Sequence, residues 1–234
     1  MHSAAAGAQP VGVIRPDSLT DILVRSLTDA FALLFPVGCA GCDEPDIALC
    51  DACRGALAPA VTRDRLASGL AVWSGLPFEG VAARVIRALK QDGRTGLARS
   101  LAVPLRAAVV EALASVGAID VVVPVPTSRA AYRRRGYRVV ELLARRAGVR
   151  TERLLVPARR TVDQRGLGVD ARRANVRGSM RARDTGGRRV LVLDDVVTSG
   201  ATLDEAARAL RATGAHVVGG VCVARTPRHA RATS

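Results

Sequence analysis

The chain has 234 residues, of which 49% are hydrophobic, 3% are aromatic and 24% are charged. This length and apolar content predict one sizeable domain with a real core and a small appendage. The scarcity of aromatic residues argues against a large base-stacking surface. The formal net charge of +14 predicts affinity for polyanions such as nucleotides, pyrophosphate or nucleic acid.

The N-terminal part of the chain is predicted to be a loose tail followed by an amphipathic helix. Residues 1–18 show no periodic pattern. The helix of the 19–58 region has one apolar face, formed by Leu19, Ile22, Leu23, Leu27, Phe31 and Leu34. Asp21, Arg25 and Asp29 interrupt this stretch and argue against a secretory signal or a membrane span. We therefore expect a cytoplasmic protein.

Two C-x2-C pairs follow this helix: Cys39, Cys42, Cys50 and Cys53. Each pair can bend around one tetrahedral metal ion, and two pairs complete a four-thiolate site. The short spacing between the pairs predicts a compact knuckle with a structural zinc ion, because four thiolates leave no open position for a catalytic water. An iron–sulfur cluster and disulfides are the alternatives. Cys222 lies in an apolar run and is predicted to be a buried core residue.

A main domain is expected over residues 70–226, after a linker of helical character at 54–69. It begins with a short strand over Leu70–Trp73 and a helix whose apolar face ends near Gly93. Lys90, the single lysine of the chain, follows that face directly. A second helical segment contains Pro104, which is expected to kink or break it.

The second clear buried strand is predicted at Ile119–Val123. It leads into a loop with two prolines and a basic helix start, and the loop residues of interest are Pro124, Val125, Pro126, Thr127 and Arg129. A loop of this charge suits a pyrophosphate group, although a solvated basic helix start has the same composition. A second strand–loop–helix unit follows later, so both loops are expected at the carboxyl edge of a parallel sheet.

A short strand is predicted at Arg153–Val156, and residues 157–187 then show no sustained periodicity. Such a long irregular segment is typical of a functional lid, and Arg172 is expected to close from it over a bound polyphosphate. The last strand is predicted at His216–Ala224, before a basic tail at 227–234.

The most informative stretch runs from Arg188 to Leu210. Four apolar residues, Val190–Leu193, predict a strand buried on both faces, and two adjacent carboxylates, Asp194 and Asp195, follow it. Val196 and Val197 come next and are included in the candidate PRPP site, and a turn of small and hydroxyl-bearing residues follows them: Thr198, Ser199, Gly200, Ala201 and Thr202. The helix that begins there would present free N–H groups and a positive dipole end, which form an anion site.

This stretch resembles the phosphoribosyl-pyrophosphate (PRPP) signature of type I phosphoribosyltransferases, in which two acids precede a T-[ST]-G-x-T turn. The resemblance implies that Asp194 and Asp195 hold the ribose hydroxyls and act in catalysis. It also implies that the turn through Thr202 holds the 5′-phosphate. No P-loop motif and no G-x-G-x-x-G motif after a strand competes with this interpretation.

The order of motifs is similar to that of the ComF family. The cysteine quartet precedes I-x-x-L-K-x-x-G (Ile86–Gly93), V-P-V-P and R-G-Y, and then T-x-x-Q-x-x-L (Thr161–Leu167), R-x-x-N-V-x-G (Arg172–Gly178) and DDVVTSGAT. The family usually has Asn-Gln after R-G-F/Y, whereas Arg138 and Val139 stand here. The resemblance implies nucleotide metabolism on a phosphoribosyltransferase-like fold and, in naturally competent bacteria, a part in DNA uptake.

We therefore expect an α/β protein with a type I phosphoribosyltransferase-like parallel sheet flanked by helices and a small N-terminal zinc knuckle. PRPP would bind with Mg²⁺, and Lys90, Arg172 and the Pro124–Arg129 loop would meet the pyrophosphate. The acceptor is not encoded in any motif. The alternative is a non-catalytic PRPP sensor or a single-stranded-DNA-binding component of a competence complex, with a helicase-type partner.

Overall fold

The computed structural model describes residues 38–158 and 176–227. Four predicted segments lie outside these residues: the N-terminal tail, the amphipathic helix over 19–34, most of the lid including Arg172, and the basic C-terminal tail apart from Pro227. In the part of the chain that is described, no helix has both the length and the apolar character needed to cross a membrane.

The architecture is a five-stranded sheet with helices on both faces. The strands are β1 (Thr62–Arg65), β2 (Ala71–Pro77), β3 (Val121–Pro124), β6 (Arg189–Val197) and β7 (His216–Arg225), and their order across the sheet is β1-β2-β7-β6-β3. Four neighbouring strands of this sheet run parallel to one another: β2, β7, β6 and β3. The edge strand β1 pairs antiparallel with β2. The predicted α/β fold with a parallel sheet is confirmed.

The α-helices among the described residues are α1 (Asp51–Gly55), α2 (Gly80–Gln91), α3 (Ala98–Val116), α4 (Arg129–Arg135), α5 (Val139–Arg146) and α6 (Ala201–Arg211). One core cluster joins α2, α3 and α5 to the sheet, and it includes Leu191 and Leu193 of β6. A second cluster joins α6 to the opposite face, through Val190 and Val192. Odd and even residues of β6 therefore face different helices, as the two-residue period of a strand requires.

The prediction that the linker over residues 54–69 has helical character is wrong. Helix α1 ends at Gly55, and residues 62–65 form β1. This strand has the sequence TRDR and is exposed along its whole length. It is held by its pairing with β2, so no apolar alternation marks it in the sequence.

Pro104 does not break α3, which runs without interruption from Ala98 to Val116. Pro104 is buried, and the helix lies very close to β2 at this point. A Cβ atom on Gly75 would lie 2.3 Å from the Pro104 carbonyl oxygen. The contact between a glycine in the strand and a proline in the helix thus allows close packing that a larger pair would prevent.

The short strand predicted over Arg153–Val156 is observed one to two residues later, as β4 (Leu155–Pro157). It does not join the main sheet but pairs antiparallel with β5 (Met180–Ala182) in a separate two-stranded sheet. Strand β5 contacts α6, so this small sheet lies beside the helix that follows the predicted phosphate turn.

Candidate functional site

The two carboxylates lie in the second half of β6 and point to opposite faces of the sheet. Asp195 contacts Lys90 at the end of α2, while Asp194 lies in register with Cys222 of β7 on the α6 side. Both residues are buried. The sequence places the two acids side by side, but the pleat of the strand separates their environments.

Asp195 forms an ion pair with Lys90. The Nζ atom of Lys90 lies 3.0 Å from Asp195 Oδ1, and the two side chains are 29% and 13% exposed. The same oxygen accepts a hydrogen bond of 2.7 Å from the Val196 backbone N–H. The only lysine of the chain therefore provides the counter-charge for this carboxylate.

Asp194 has a different electrostatic environment. Burial, together with the charge of Asp195, raises its pKa to about 8, against an opposing hydrogen bond from the Asp195 backbone N–H and the charge of Lys90. Asp194 is therefore mostly protonated at neutral pH and can donate a hydrogen bond. With Asp195 paired to Lys90, the two acids contribute little net negative charge, which suits a neighbouring phosphate site.

The turn after β6 forms the start of α6. Gly200 has a φ angle of 84°, in the left-handed region that favours glycine, and it occupies the N-cap position. A Cβ atom here would lie 2.5 Å from a side-chain atom of Leu66, so the β1–β2 hairpin packs directly on the turn. Thr198 and Ser199 are exposed beside it. The Ala201 N–H at the start of α6 donates to Ser199 Oγ over 3.4 Å. The exposed Thr198 hydroxyl and the positive dipole end of the helix lie at the same turn and suit an anion.

The loop after β3 lies beside the carboxylates, as the layout of the two strand–loop–helix units predicts. Pro124 is in register with Leu193, and the Val125 N–H donates a hydrogen bond of 2.8 Å to the Leu193 carbonyl. Ser128 caps α4 through the Ala131 N–H, and Arg129 opens that helix with an exposed side chain. The structure therefore brings the loop and the two acids to one edge of the sheet.

A cavity of about 330 Å³ lies on the outer side of the turn, and sequence reasoning did not predict it. Its lining residues are Ala67, Arg177, Ser199, Ala201, Asp204, Glu205 and Arg208. Glu205 is buried, where it accepts hydrogen bonds from Arg208 (2.7 and 2.8 Å) and from the Met180 N–H (3.1 Å). These contacts attach β5 to α6, and no local pattern could reveal a carboxylate whose partner is a backbone N–H 25 residues away.

The four cysteines of the N-terminal module form a compact cluster. The sulfur atoms of Cys39, Cys42, Cys50 and Cys53 all lie within 4.8 Å of one another, and only Cys42 is exposed. The N–H groups of Gly41 and Cys50 donate to Cys39 Sγ over 3.4 and 3.3 Å. The arrangement is compatible with a zinc knuckle, in which backbone N–H groups support the thiolates.

The acidity of these thiols depends on their backbone contacts. Burial opposes ionisation of Cys39, but the N–H groups of Cys50, Gly41 and Cys42 outweigh it and lower its pKa to about 6. Burial and the neighbouring thiols instead raise the pKa of Cys53. One thiolate is therefore favoured without a metal, and a bound cation would favour the others.

Comparisons with known proteins identify the fold of this site. A family model described as "Phosphoribosyl transferase domain" matches residues 105–233, more than half of the chain. No curated protein matches. Among solved structures, UMP synthase from Leishmania donovani is 19% identical, with 73% of this chain and 29% of that chain covered and a TM-score of 0.35. A structure described as the allosteric regulatory enzyme of purine biosynthesis is 24% identical, with coverages of 56% and 25% and a TM-score of 0.31. The chain spans less than a third of the length of either protein.

Proposed function

The chain belongs to the phosphoribosyl transferase domain family, and on that premise we propose that it binds PRPP with Mg²⁺ and acts as a phosphoribosyltransferase. The observation that carries the proposal is one edge of the sheet, where Asp194, Asp195 and the turn that starts α6 lie beside the Pro124–Arg129 loop. This edge combines an anion site with acids that suit a sugar.

In this proposal the parts of the edge have separate roles. Asp194, as a hydrogen-bond donor, and Asp195, as an acceptor, are assigned to the ribose hydroxyls, while the turn from Thr198 to Thr202 binds the 5′-phosphate beyond the end of β6. The Pro124–Arg129 loop faces the pyrophosphate, with Arg172 as the lid residue proposed to close on it. Carboxylate and pyrophosphate oxygens are ligands that Mg²⁺ prefers, so an ion bound with PRPP at this edge would supply positive charge that offsets the charge of the pyrophosphate.

Catalysis at such a site would rest on positioning and electrostatics. Cleavage of the C1–O bond leaves positive charge on the sugar ring and negative charge on pyrophosphate. Asp195 can stabilise the ring, and Arg129 of the loop can stabilise the leaving group. The four cysteines are proposed to hold structural zinc, because they leave no position for a reacting water.

We further propose that the protein is of the ComF type and acts in the cytoplasm, with a link to DNA uptake. The support is the order of motifs in the sequence, from the cysteine quartet to the DDVVTSGAT turn. The basic composition of the chain suits contact with single-stranded DNA and with a competence helicase-type partner.

A PRPP sensor that transfers nothing is the second candidate, and one observation favours it. Val139 stands where the family has the Gln of Asn-Gln, and it is 1% exposed in the core. Arg138 stands at the Asn position, where it lies 4.6 Å over the Tyr132 ring and pairs with Glu141. Val139 offers no polar group to an acceptor, and Arg138 replaces the neutral amide of Asn with a guanidinium.

Calorimetric titration with PRPP, with and without Mg²⁺, tests the proposal. We expect magnesium-dependent binding that is lost in an Asp194→Asn, Asp195→Asn double variant and kept in Asp184→Asn, an exposed aspartate. Absence of binding to the wild-type protein at millimolar PRPP would refute the proposed ligand. Pyrophosphate release on addition of candidate acceptors then separates the transferase from the sensor.

A further inference from the structure

Lys90 lies in the last turn of α2, where the backbone carbonyls have no partner within the helix. Two side chains from the R-G-Y segment provide those partners. Arg135 Nε donates a hydrogen bond of 2.8 Å to the Lys90 carbonyl, and the Tyr137 hydroxyl donates to the Leu89 carbonyl. The end of α2 is therefore attached to a segment about 45 residues further along the chain.

The R-G-Y segment is built to make both contacts. Gly136 has a φ angle of 76° and ends α4 in the left-handed conformation, which turns the chain between Arg135 and Tyr137. Both flanking side chains are half-buried. Burial raises the pKa of the Tyr137 phenol, with Asp92 adding to the effect and Arg135 opposing it. The phenol thus stays protonated and remains a donor at neutral pH.

We propose that Arg135 and Tyr137 are positioning residues that hold Lys90 against Asp195. A lysine side chain has several rotatable bonds, and a partly exposed ion pair gains little over the entropy needed to fix it. Helix ends also fray, so an unsupported last turn would let the root of Lys90 move. The two hydrogen bonds to consecutive carbonyls fix that root, which makes the 3.0 Å contact with Asp195 persistent.

The consequence for ligand binding rests on the proposed function. Helix α4 begins directly after the Pro124–Thr127 loop and ends at the residues that support Lys90. A change in this loop on binding an anion can therefore reach the Lys90–Asp195 pair through α4. Loosening the pair would leave the charge of Asp195 uncompensated beside a polyanionic ligand, and affinity would fall.

Because Lys90 is the only lysine, its ε-amino group can be followed by acylation and peptide mass spectrometry. We expect Tyr137→Phe and Arg135→Gln each to raise the acylation rate of Lys90 by about two- to tenfold, the equivalent of one lost hydrogen bond. The matched controls are Tyr132→Phe, an exposed tyrosine, and Arg134→Gln, an exposed arginine of the same helix, and both should react as wild type does.

Fluorescence of the buried Trp73 verifies that each variant is folded. The two variants remove different hydrogen bonds, so either variant alone can test the positioning role if the other unfolds. Folded variants that react at the control rate would overturn the positioning role.

PRPP titration is the second experiment, in which the same two variants should bind about two- to tenfold more weakly than their controls. Wild-type affinity in folded Tyr137→Phe would refute the link to the ligand. Failure of the wild-type protein to bind PRPP would instead refute the proposed function, while the acylation result would still decide the positioning role.

Discussion

Replacement of Asp194 by Asn is the sharpest test of the electrostatics of this site. In the folded protein burial and the charge of Asp195 raise the pKa of Asp194 from its ordinary value of 3.8 to about 8. Between these two values the folded state holds one more proton than the unfolded state. Stability from this group is therefore fully present below the unfolded pKa, and it is lost as the pH rises through the folded pKa.

The dependence of the unfolding free energy on pH follows from this difference of one proton. It amounts to about 1.4 kcal/mol of unfolding free energy per pH unit, or about 3 kcal/mol between pH 5 and pH 7. An asparagine does not titrate, so Asp194→Asn should lack this part of the pH dependence. Between pH 5 and pH 7 we expect the unfolding free energy of the wild-type protein to fall by about 3 kcal/mol more than that of the variant.

Urea unfolding at pH 5, 6 and 7 with zinc present measures this slope, and Trp73 is a suitable probe because it is the only tryptophan and is fully buried. Asp184→Asn, at an exposed position, should keep the wild-type slope. Parallel curves for wild type and Asp194→Asn would mean that Asp194 is already ionised in the folded protein at pH 5. That result would refute both the raised pKa of buried Asp194 and its role as a hydrogen-bond donor.

Three further predictions concern the cysteine cluster, the packing of β2 on α3 and the turn before α6. Cys50→Ser should lose bound zinc by metal analysis and lower the free energy of unfolding, because a structural metal contributes directly to folding; full zinc content in the variant would contradict the four-thiolate site. Gly75→Ala should lower the free energy of unfolding measured in urea by about 3 kcal/mol, because the new Cβ atom would lie 2.3 Å from the backbone of Pro104. Gly200→Ala should cost about 2 kcal/mol and weaken PRPP binding in calorimetry, because the left-handed φ is strained and the Cβ meets Leu66 at 2.5 Å.

Each of these changes has a control within the chain. Cys222→Ser alters a buried cysteine outside the cluster and should leave zinc content unchanged. Gly96→Ala places a Cβ atom in open space and should be nearly neutral. Gly214 has a φ angle of 87° with nothing within 4 Å, so Gly214→Ala measures the backbone strain without the clash. If Gly200→Ala costs no more than Gly214→Ala, Leu66 accommodates the new Cβ atom without cost and the predicted clash is refuted.

Elements with a local cause could be predicted from the sequence. The apolar run Val190–Leu193 predicts a strand buried on both faces, and all four residues are fully buried in β6. The spacing of Cys39 and its three partners predicts a common site, and the sulfur atoms cluster. Burial of Cys222 was also predicted and is confirmed. In each case the signal and the structure lie within one strand, one module or one apolar run.

Features that depend on contacts between distant segments could not be predicted from the sequence. β1 is a polar strand because it pairs with β2, and α3 continues through Pro104 because it packs on Gly75. The pairing of Lys90 with Asp195 joins residues 105 positions apart. Adjacent acids in a sequence carry no record of the faces they will occupy or the partners they will meet. The pleat of β6 and the packing of α2 on one side of it make Asp195 half of an ion pair and leave Asp194 a buried acid.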